Sequence, residues 1–132
     1  MTRYLLDTNM VSQFVRGHRT VDRHMIRAPF SSLCISVISE GELLFGLASV
    51  PQAVRLQHAV REFLLRIEVL PWGREAAEHY GALRAGLQRK GREFGALDML
   101  IAAHALATRS VLVTNDDAFR HVPGLTAEDW TK

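Results

Sequence analysis

The sequence predicts an α/β fold of three layers, α/β/α, with a central parallel sheet of four to five strands. Short, nearly continuous apolar runs recur along the chain, as expected of strands that are buried on both faces. Segments with apolar residues at helical spacing separate these runs. Strands that alternate with helices form parallel sheets through right-handed crossovers. A chain of 132 residues suits one domain, which we expect to span residues 1–132.

The apolar runs place the strands, and the helical spacing places the helices. Strands are predicted at residues 5–6, 33–35 together with 37–38, 69–70 and 111–113. Two helices are predicted at residues 10–15 and 21–26, and a third is predicted to begin after Ser39, since serine is favoured at the N-cap. The last three helices are predicted at residues 52–67, 74–90 and 97–108. The final one is apolar enough to lie covered by other elements.

Composition excludes several classes of protein. A hydrophobic content of 48% and a charged content of 23% are ordinary for a soluble globular chain. Cys34 is the single cysteine, so a disulfide within the chain is impossible, and a reducing, cytoplasmic setting is expected. No apolar segment approaches the roughly 20 residues of a membrane span, and no signal peptide pattern is visible, so no membrane association is expected. A net charge of +2 is weak support for a polyanionic partner.

Four acids fall where a parallel sheet presents ligands. Asp7 closes the first predicted strand, and Asp116 follows the last one. Glu42 is expected in the first turn of the third helix and Asp98 in the first turn of the last helix. Ligands of open α/β sheets bind outside the carboxyl ends of the strands. We therefore expect these carboxylates to converge.

Each acid also has a purely structural explanation. Acids in a first helical turn suit the positive end of the helix dipole. Ser39 and Glu42 match the S-x-x-E capping box, and Asp116 and Asp117 could be turn residues. Their joint placement at one edge favours a shared site.

Converging carboxylates call for a cation. Two of them about 4 Å apart repel by roughly 4 kcal/mol at an effective dielectric of 20, so either one is protonated or a cation lies between them. No histidine or cysteine cluster is apparent, and oxygen ligands suit Mg²⁺ or Mn²⁺ rather than zinc. Such a site predicts phosphoryl-transfer or phosphodiester chemistry. Four neighbouring hydroxyl or amide side chains could orient the acids; they are Thr8, Asn9, Thr114 and Asn115. Thr8 or Asn9 could instead cap the following helix.

Four motifs in order cover essentially the whole chain: LLDTNMV, ISVISEGELLFGL, GALDMLIAAHALA and VLVTNDDAFRHVPGL. Together they resemble the PIN-domain ribonucleases, specifically the VapC-type toxins of bacterial toxin–antitoxin pairs. The resemblance implies that the catalytic metal ligands are Asp7, Glu42, Asp98 and Asp116. It implies one or two Mg²⁺ or Mn²⁺ ions and hydrolysis of structured RNA, often tRNA or an rRNA loop, by metal-activated water, leaving a 5′-phosphate and a 3′-hydroxyl. It also implies a homodimer and a VapB-type antitoxin that blocks the site and contacts the operator DNA.

Two features depart from the family pattern. The loop at residues 92–96 carries Glu93 and Phe94, where relatives often have proline or a small aliphatic residue. This loop faces substrate in the family, so substrate specificity is open. The NDD run also offers Asp117 as an alternative to Asp116, and we expect Asp116 to face the metal.

Basic residues near the predicted site are candidates for contacts with the RNA backbone, which would set affinity rather than sequence choice. These candidates are Arg16, Lys90, Arg92 and Arg120. Arg84 and Arg89 are further candidates, for which a role as solvated surface residues is favoured over RNA contact.

Other interpretations of the acids are weaker. A haloacid-dehalogenase-like phosphatase needs D-x-D at the start, where this chain has Asn9 in place of the second acid. A receiver-like signalling domain needs a lysine directly after the last strand, and the one lysine beyond that strand, Lys132, is terminal. A related domain that only binds RNA or protein would gain nothing from the clustered acids.

Overall fold

The computed structural model describes residues 1–132, which form a five-stranded sheet between two layers of helices. In chain order the elements are β1 (Tyr4–Leu6), α1 (Thr8–Val15), α2 (Arg19–Arg27), β2 (Leu33–Ser36), α3 (Val37–Ser49), α4 (Val54–Arg66), β3 (Glu68–Leu70), α5 (Arg74–Arg89), α6 (Ala96–Thr108), β4 (Val111–Val113) and β5 (Ala127–Glu128). Short 3₁₀ turns lie at Phe30–Ser32 and Asp117–His121. The predicted three-layer α/β architecture is confirmed. None of the six helices combines the length and the apolar character that a membrane span requires.

All strands of the sheet run in the same direction. Their order is β3-β2-β1-β4-β5, so β1 is central, and Leu5 lies opposite Cys34 on one side and Leu112 on the other. Because the pairing is parallel throughout, the carboxyl ends of all strands meet at one edge. The segments that leave β1 and β4 therefore start side by side.

The alternation of side chains divides the core between the two faces of the sheet. Leu6 and Ile35 pack under α1 to α4, while Leu5, Cys34 and Leu112 pack under α5 and α6. Both faces are covered, which explains why the strands are continuous apolar runs. Each fully buried leucine contributes about 1.5–3 kcal/mol relative to an exposed one.

The sequence did not predict the position of the fifth strand. β5 consists of Ala127–Glu128 and pairs with Leu112 and Val113 of β4. It has no run of branched apolar residues, so its extended form depends on pairing with β4 rather than on its own sequence. The sheet thus has five strands, within the predicted range of four to five.

The junction between β2 and α3 differs from the prediction. Val37 and Ile38 begin the helix instead of extending the strand, because Ser36 is the N-cap and its Oγ accepts a hydrogen bond from the Ile38 backbone N–H at 3.1 Å. Ser39, the predicted cap, lies inside α3 and is fully buried. Glu42 consequently lies in the second turn of α3, and the predicted capping box is wrong.

The remaining helices begin and end within two residues of their predicted bounds. In α2 the apolar side is narrower than predicted. Val21 and Met25 are buried, but Ile26 is 81% exposed. The last helix, α6, is covered as predicted, with five consecutive buried residues from 101 to 105.

A buried histidine ties α6 to the start of α3. His104 is 2% exposed, and its Nδ1 lies 2.7 Å from the Ser36 Oγ. Burial lowers the pKa of His104, so the ring is neutral. The Pro71 backbone acts in the opposite direction on the pKa of His104. Because the Ser36 Oγ accepts from the Ile38 N–H, its own hydrogen is free to donate to Nδ1 of the neutral ring.

Replacing Ser36 by alanine should destabilise the protein. The substitution removes the cap of α3 and leaves the buried Nδ1 of His104 without a donor, which together should lower the free energy of unfolding by about 2 kcal/mol. Urea denaturation followed by circular dichroism measures this change. Ser49→Ala is the control, since Ser49 is an exposed residue of the same helix whose hydroxyl bonds only to the Phe45 carbonyl. Equal stabilities of the two variants would contradict the role of Ser36.

Candidate active site

One cavity of about 220 Å³ lies among the starts of α1 and α6, the second turn of α3 and the segment after β4. It is lined by the four predicted acids, Asp7, Glu42, Asp98 and Asp116. Three of the predicted supporting residues also line it, namely Thr8, Asn9 and Asn115. The parallel sheet thus brings together side chains that are up to 109 positions apart in the chain, between Asp7 and Asp116.

Asp7 is the most enclosed of the four acids. It follows β1, is 9% exposed and caps α1, where its Oδ1 accepts a hydrogen bond from the Met10 backbone N–H at 2.8 Å. Burial raises the pKa of Asp7 above its usual value, and repulsion by Asp98 and Asp116 adds to that rise. Hydrogen bonds from the Thr114 hydroxyl and the Met10 N–H act in the opposite direction. Thr114 therefore contacts the acidic cavity through Asp7.

Asp98 lies in the first turn of α6, as predicted. Burial raises the pKa of this carboxyl, and repulsion by Asp116 and Glu42 raises it further. Its Oδ2 packs against Gly95, where a Cβ atom would stand only 3.2 Å away. The absence of a side chain at Gly95 therefore leaves room for the carboxylate.

Glu42 is oriented by a neighbour from another element. The Thr8 hydroxyl donates a hydrogen bond to the Glu42 Oε1 at 2.7 Å. This bond links the first residue of α1 to α3. The alternative that Thr8 or Asn9 caps α1 is wrong, because Asp7 is the N-cap of that helix, and the Thr8 hydroxyl is engaged with an acid of the cavity instead.

Asp116 is held by a turn that follows β4. Its Oδ1 accepts a hydrogen bond from the Ala118 backbone N–H at 2.9 Å, and its own N–H donates to the Thr114 Oγ1 at 3.1 Å. The adjacent Asn115 accepts a hydrogen bond from the Asn9 side-chain amide at 2.9 Å, which ties this turn to α1. Asp117 lies outside the cavity, with an 88% exposed side chain that pairs with Arg120 at 3.3 Å.

No basic side chain neutralises the cavity. The three salt bridges of the protein are Arg3–Glu68, Arg66–Glu62 and Arg120–Asp117, and none involves the four acids. No three acidic, histidine or cysteine side chains stand close enough together to hold a metal ion by themselves. The cavity therefore holds repelling carboxylates, whose charge is offset either by protonation or by a cation from outside the protein.

The four predicted RNA-contacting residues are scattered. Arg16 lies at the far end of α1 from the cavity, and Arg120 is occupied by its pair with Asp117. Lys90 lines an apolar cavity between α5 and the segment at Pro123. Arg92 is different, because it lines a cavity that also includes Gly95, the residue that packs against Asp98.

Sequence reasoning missed the apolar walls and Gly95. Ile101 and Phe119 complete the lining of the acidic cavity, but in the sequence they are indistinguishable from other core residues. Gly95 lies three residues before Asp98, at the N-cap of α6. The sequence shows this spacing, but only the folded structure shows that the glycine makes room for the Asp98 carboxylate.

The comparisons with known proteins agree with this geometry. The family model described as PIN domain matches residues 4–125. A protein of Salmonella typhimurium named tRNA(fMet)-specific endonuclease VapC is 36% identical over 131 residues, which cover 98% of this chain and 99% of that protein. A protein of Shigella flexneri with the same name is 33% identical over 132 residues, covering 99% of this chain and all of that protein.

Solved structures show the same fold. The crystal structure of DNA-bound VapBC from Salmonella typhimurium superposes with a TM-score of 0.90 at 35% identity, covering 98% of this chain and 99% of that one. VapBC2 from Rickettsia felis, bound to a DNA fragment from its promoter, gives a TM-score of 0.86 at 30% identity, covering 96% and 98% of the two chains. These matches favour a nuclease over the phosphatase and receiver alternatives. The chain therefore belongs to the PIN-domain family and, within it, to the VapC-type ribonucleases.

Proposed function

We propose that this protein is a Mg²⁺- or Mn²⁺-dependent endoribonuclease toxin that hydrolyses a phosphodiester bond of structured RNA, tRNA or rRNA, leaving a 5′-phosphate and a 3′-hydroxyl. The observation that carries the proposal is the cavity of four carboxylates without a basic partner. Membership of the PIN domain supports it, since ribonucleases with this domain generally depend on a divalent metal. The names of the Salmonella and Shigella relatives support tRNA as the substrate class.

The residues of the cavity suit a hard divalent ion. All the donors are carboxylate, hydroxyl or amide oxygens, and Mg²⁺ is commonly held by one or two carboxylates together with water and phosphate oxygens. Asp7, Glu42, Asp98 and Asp116 would hold the ion. This also accounts for the lack of a complete protein cage, because the substrate would supply part of the coordination. When bound, the ion supplies charge stabilisation at the phosphate and activates a water for attack.

The other side chains would keep the acids in place. Thr8 fixes the orientation of Glu42, and Thr114 together with the Met10 N–H fixes that of Asp7. The Asn9–Asn115 bond holds the turn that carries Asp116 against α1. Gly95 leaves room for the Asp98 carboxylate. Mutation of such outer contacts at metal sites typically lowers metal affinity or activity by about 10- to 100-fold.

A partner protein completes the proposal. The similar solved structures are VapBC complexes, some of them bound to DNA. We propose that a VapB-type antitoxin binds this chain in a hetero-oligomer, blocks the acidic cavity and makes the contacts to operator DNA. We also propose that the toxin forms a homodimer and acts in the cytoplasm.

The first test is cleavage of tRNA and total cellular RNA by the purified protein, with Mg²⁺ and then with EDTA. Asp7→Asn should reduce the cleavage rate at least about a hundredfold. Loss of a direct metal ligand should lower activity at least as much as loss of an outer contact does. The end groups of the products, read by phosphatase and ligation assays, should be a 5′-phosphate and a 3′-hydroxyl.

Asp117→Asn is the matched control, because it makes the same chemical change at the exposed acid outside the cavity. It should cleave at the wild-type rate, and Asp116→Asn should be impaired. Cleavage that survives EDTA, or an impaired Asp117→Asn beside an active Asp116→Asn, would contradict the assignment.

Asp7 should also reduce stability at neutral pH when no divalent ion is present. Its pKa is raised in the folded protein, so between about pH 4 and that raised value the native state holds more protons than the unfolded chain, and stability falls as pH rises. Asparagine caps a helix as well as aspartate does and has no charge. Asp7→Asn should therefore unfold at a higher temperature than wild type at pH 7 in EDTA.

The difference should vanish below about pH 4, where wild-type Asp7 is protonated in both states. Adding Mg²⁺ at pH 7 should raise the melting temperature of wild type more than that of the variant, since a ligand that binds only the native state stabilises it. Thermal scans across pH measure both effects. An Asp7→Asn variant that is less stable than wild type at pH 7 in EDTA would be inconsistent with the raised pKa.

Gly95→Ala should impair cleavage without unfolding the protein. The new Cβ would lie 3.2 Å from the Asp98 Oδ2, so the carboxylate must shift by a few tenths of an ångström, and we expect the rate to fall about 10- to 100-fold. Gly81→Ala, inside α5 and facing open space, is the control and should keep full activity. Circular dichroism and cleavage assays on both variants would make the comparison, and an unaffected Gly95→Ala would show that Asp98 tolerates displacement.

A further inference from the structure

A second cavity, of about 520 Å³, lies beside the acidic one, between the C-terminal half of α5 and the start of α6. This second cavity is called the α5–α6 cavity. The side chains that matter for its chemistry are Arg84, Gln88, Arg92, Glu93, Phe94 and Met99. Its volume falls in the range of small-molecule ligand sites, about 300–1,000 Å³.

The two cavities meet at two points. Gly95 lines the α5–α6 cavity, while its Cβ position lies 3.2 Å from the Asp98 Oδ2 of the acidic cavity. Phe94 lines the α5–α6 cavity and packs edge-on against Phe119, which lines the acidic cavity, with 5.2 Å between the ring centroids. The two cavities are therefore adjacent, so an RNA strand whose phosphate lies over the acids has the second cavity beside it.

The polar groups of the α5–α6 cavity suit one nucleotide. Neither Arg84 nor Arg92 has an acidic partner, and Arg84 is held by its hydrogen bond to the Tyr80 hydroxyl at 2.9 Å. Unpaired guanidinium groups match phosphate oxygens. Gln88 and Glu93 carry acceptors and donors of the kind that contact base edges, with glutamine suited to adenine and glutamate to the amino group of cytosine.

The apolar side chains complete the match. Phe94 and Met99 are half-buried and line the same cavity. Sequence-specific binding of RNA uses unstacked bases that lie against aromatic side chains or arginine planes. A cavity of about 520 Å³ has room for a single splayed nucleotide.

We propose that the α5–α6 cavity binds the nucleotide that flanks the scissile phosphate of single-stranded or looped RNA, with Arg84 and Arg92 on its phosphates and Gln88 and Glu93 on its base edge. The proposal rests on the proposed function of the acidic cavity and deepens it, because it assigns substrate choice to residues of this chain. It also gives a role to Glu93 and Phe94, which line the cavity.

The test uses the Asp7→Asn protein, so that RNA is bound without being cut. Fluorescence anisotropy measures its affinity for four labelled single-stranded RNA tetramers that differ only in base. Adding Arg84→Ala or Arg92→Ala should weaken binding of all four RNAs and reduce the dependence of affinity on salt by about one counterion. Arg89→Ala is the control, because Arg89 lies on the same helix with the same charge but outside the cavity, and it should have a much smaller effect.

Base choice is tested separately. Gln88→Ala and Glu93→Ala should change the ratio of affinities among the four RNAs by about fivefold or more, and in the catalytically intact protein they should shift the preferred cleavage site. Arginine variants that bind as tightly as their parent, or a loss matched by Arg89→Ala, would overturn the proposal. So would glutamine and glutamate variants with unchanged base ratios.

The outcome separates this proposal from the function beneath it. If the wild-type protein cleaves RNA with Mg²⁺ and the cavity variants bind and cut as their parent does, the nuclease assignment stands. The proposed role of the α5–α6 cavity in nucleotide binding is then wrong. If the wild-type protein neither binds nor cleaves RNA, the proposed function fails first. Unchanged RNA binding with weaker binding of a co-expressed antitoxin would show that the cavity is a protein-docking surface.

Discussion

The structure depends on one electrostatic constraint, which is that four carboxylates are gathered at one edge of a parallel sheet without a positive side chain among them. The fold imposes this arrangement, because the segments that follow β1 and β4 must start side by side when the strands are parallel and adjacent. Burial and mutual repulsion raise the pKa values of Asp7 and Asp98. These raised pKa values reduce stability at that edge at neutral pH, and the proposed divalent ion would offset the repulsion.

Local structure reduces the cost of this arrangement. Asp7 caps α1, Asp98 lies in the first turn of α6, and Asp116 caps a 3₁₀ turn, so three of the four acids face the positive end of a helix or turn. The structural explanation of these three acids is therefore correct, and it is compatible with the proposed metal site. Backbone N–H groups at the start of α1 and of the 3₁₀ turn also hold the carboxylates of Asp7 and Asp116 in place.

The surroundings of the acids hold them by contacts between distant elements. Thr8 bonds to Glu42 across 34 positions of the chain, and Asn9 bonds to Asn115 across 106. Ser36 and His104 join α3 to α6 beneath the cavity. Because α3 carries Glu42 and α6 carries Asp98, the rigidity of the core and the geometry of the site are linked.

The sequence by itself determined the parallel α/β architecture and the acids at its carboxyl edge, because these follow from local apolar periodicity and from the position of each acid relative to its own strand. Tertiary structure alone decided the features that need distant partners. The two residues of β5 are extended because they pair with β4, and Ser36 rather than Ser39 caps α3 where the strand meets the helix. Likewise, Asp116 lines the cavity while Asp117 turns to Arg120, and Gly95 makes room for Asp98 where two cavities meet. Each depends on which side chains the fold brings within a few ångströms, and a local pattern does not carry that information.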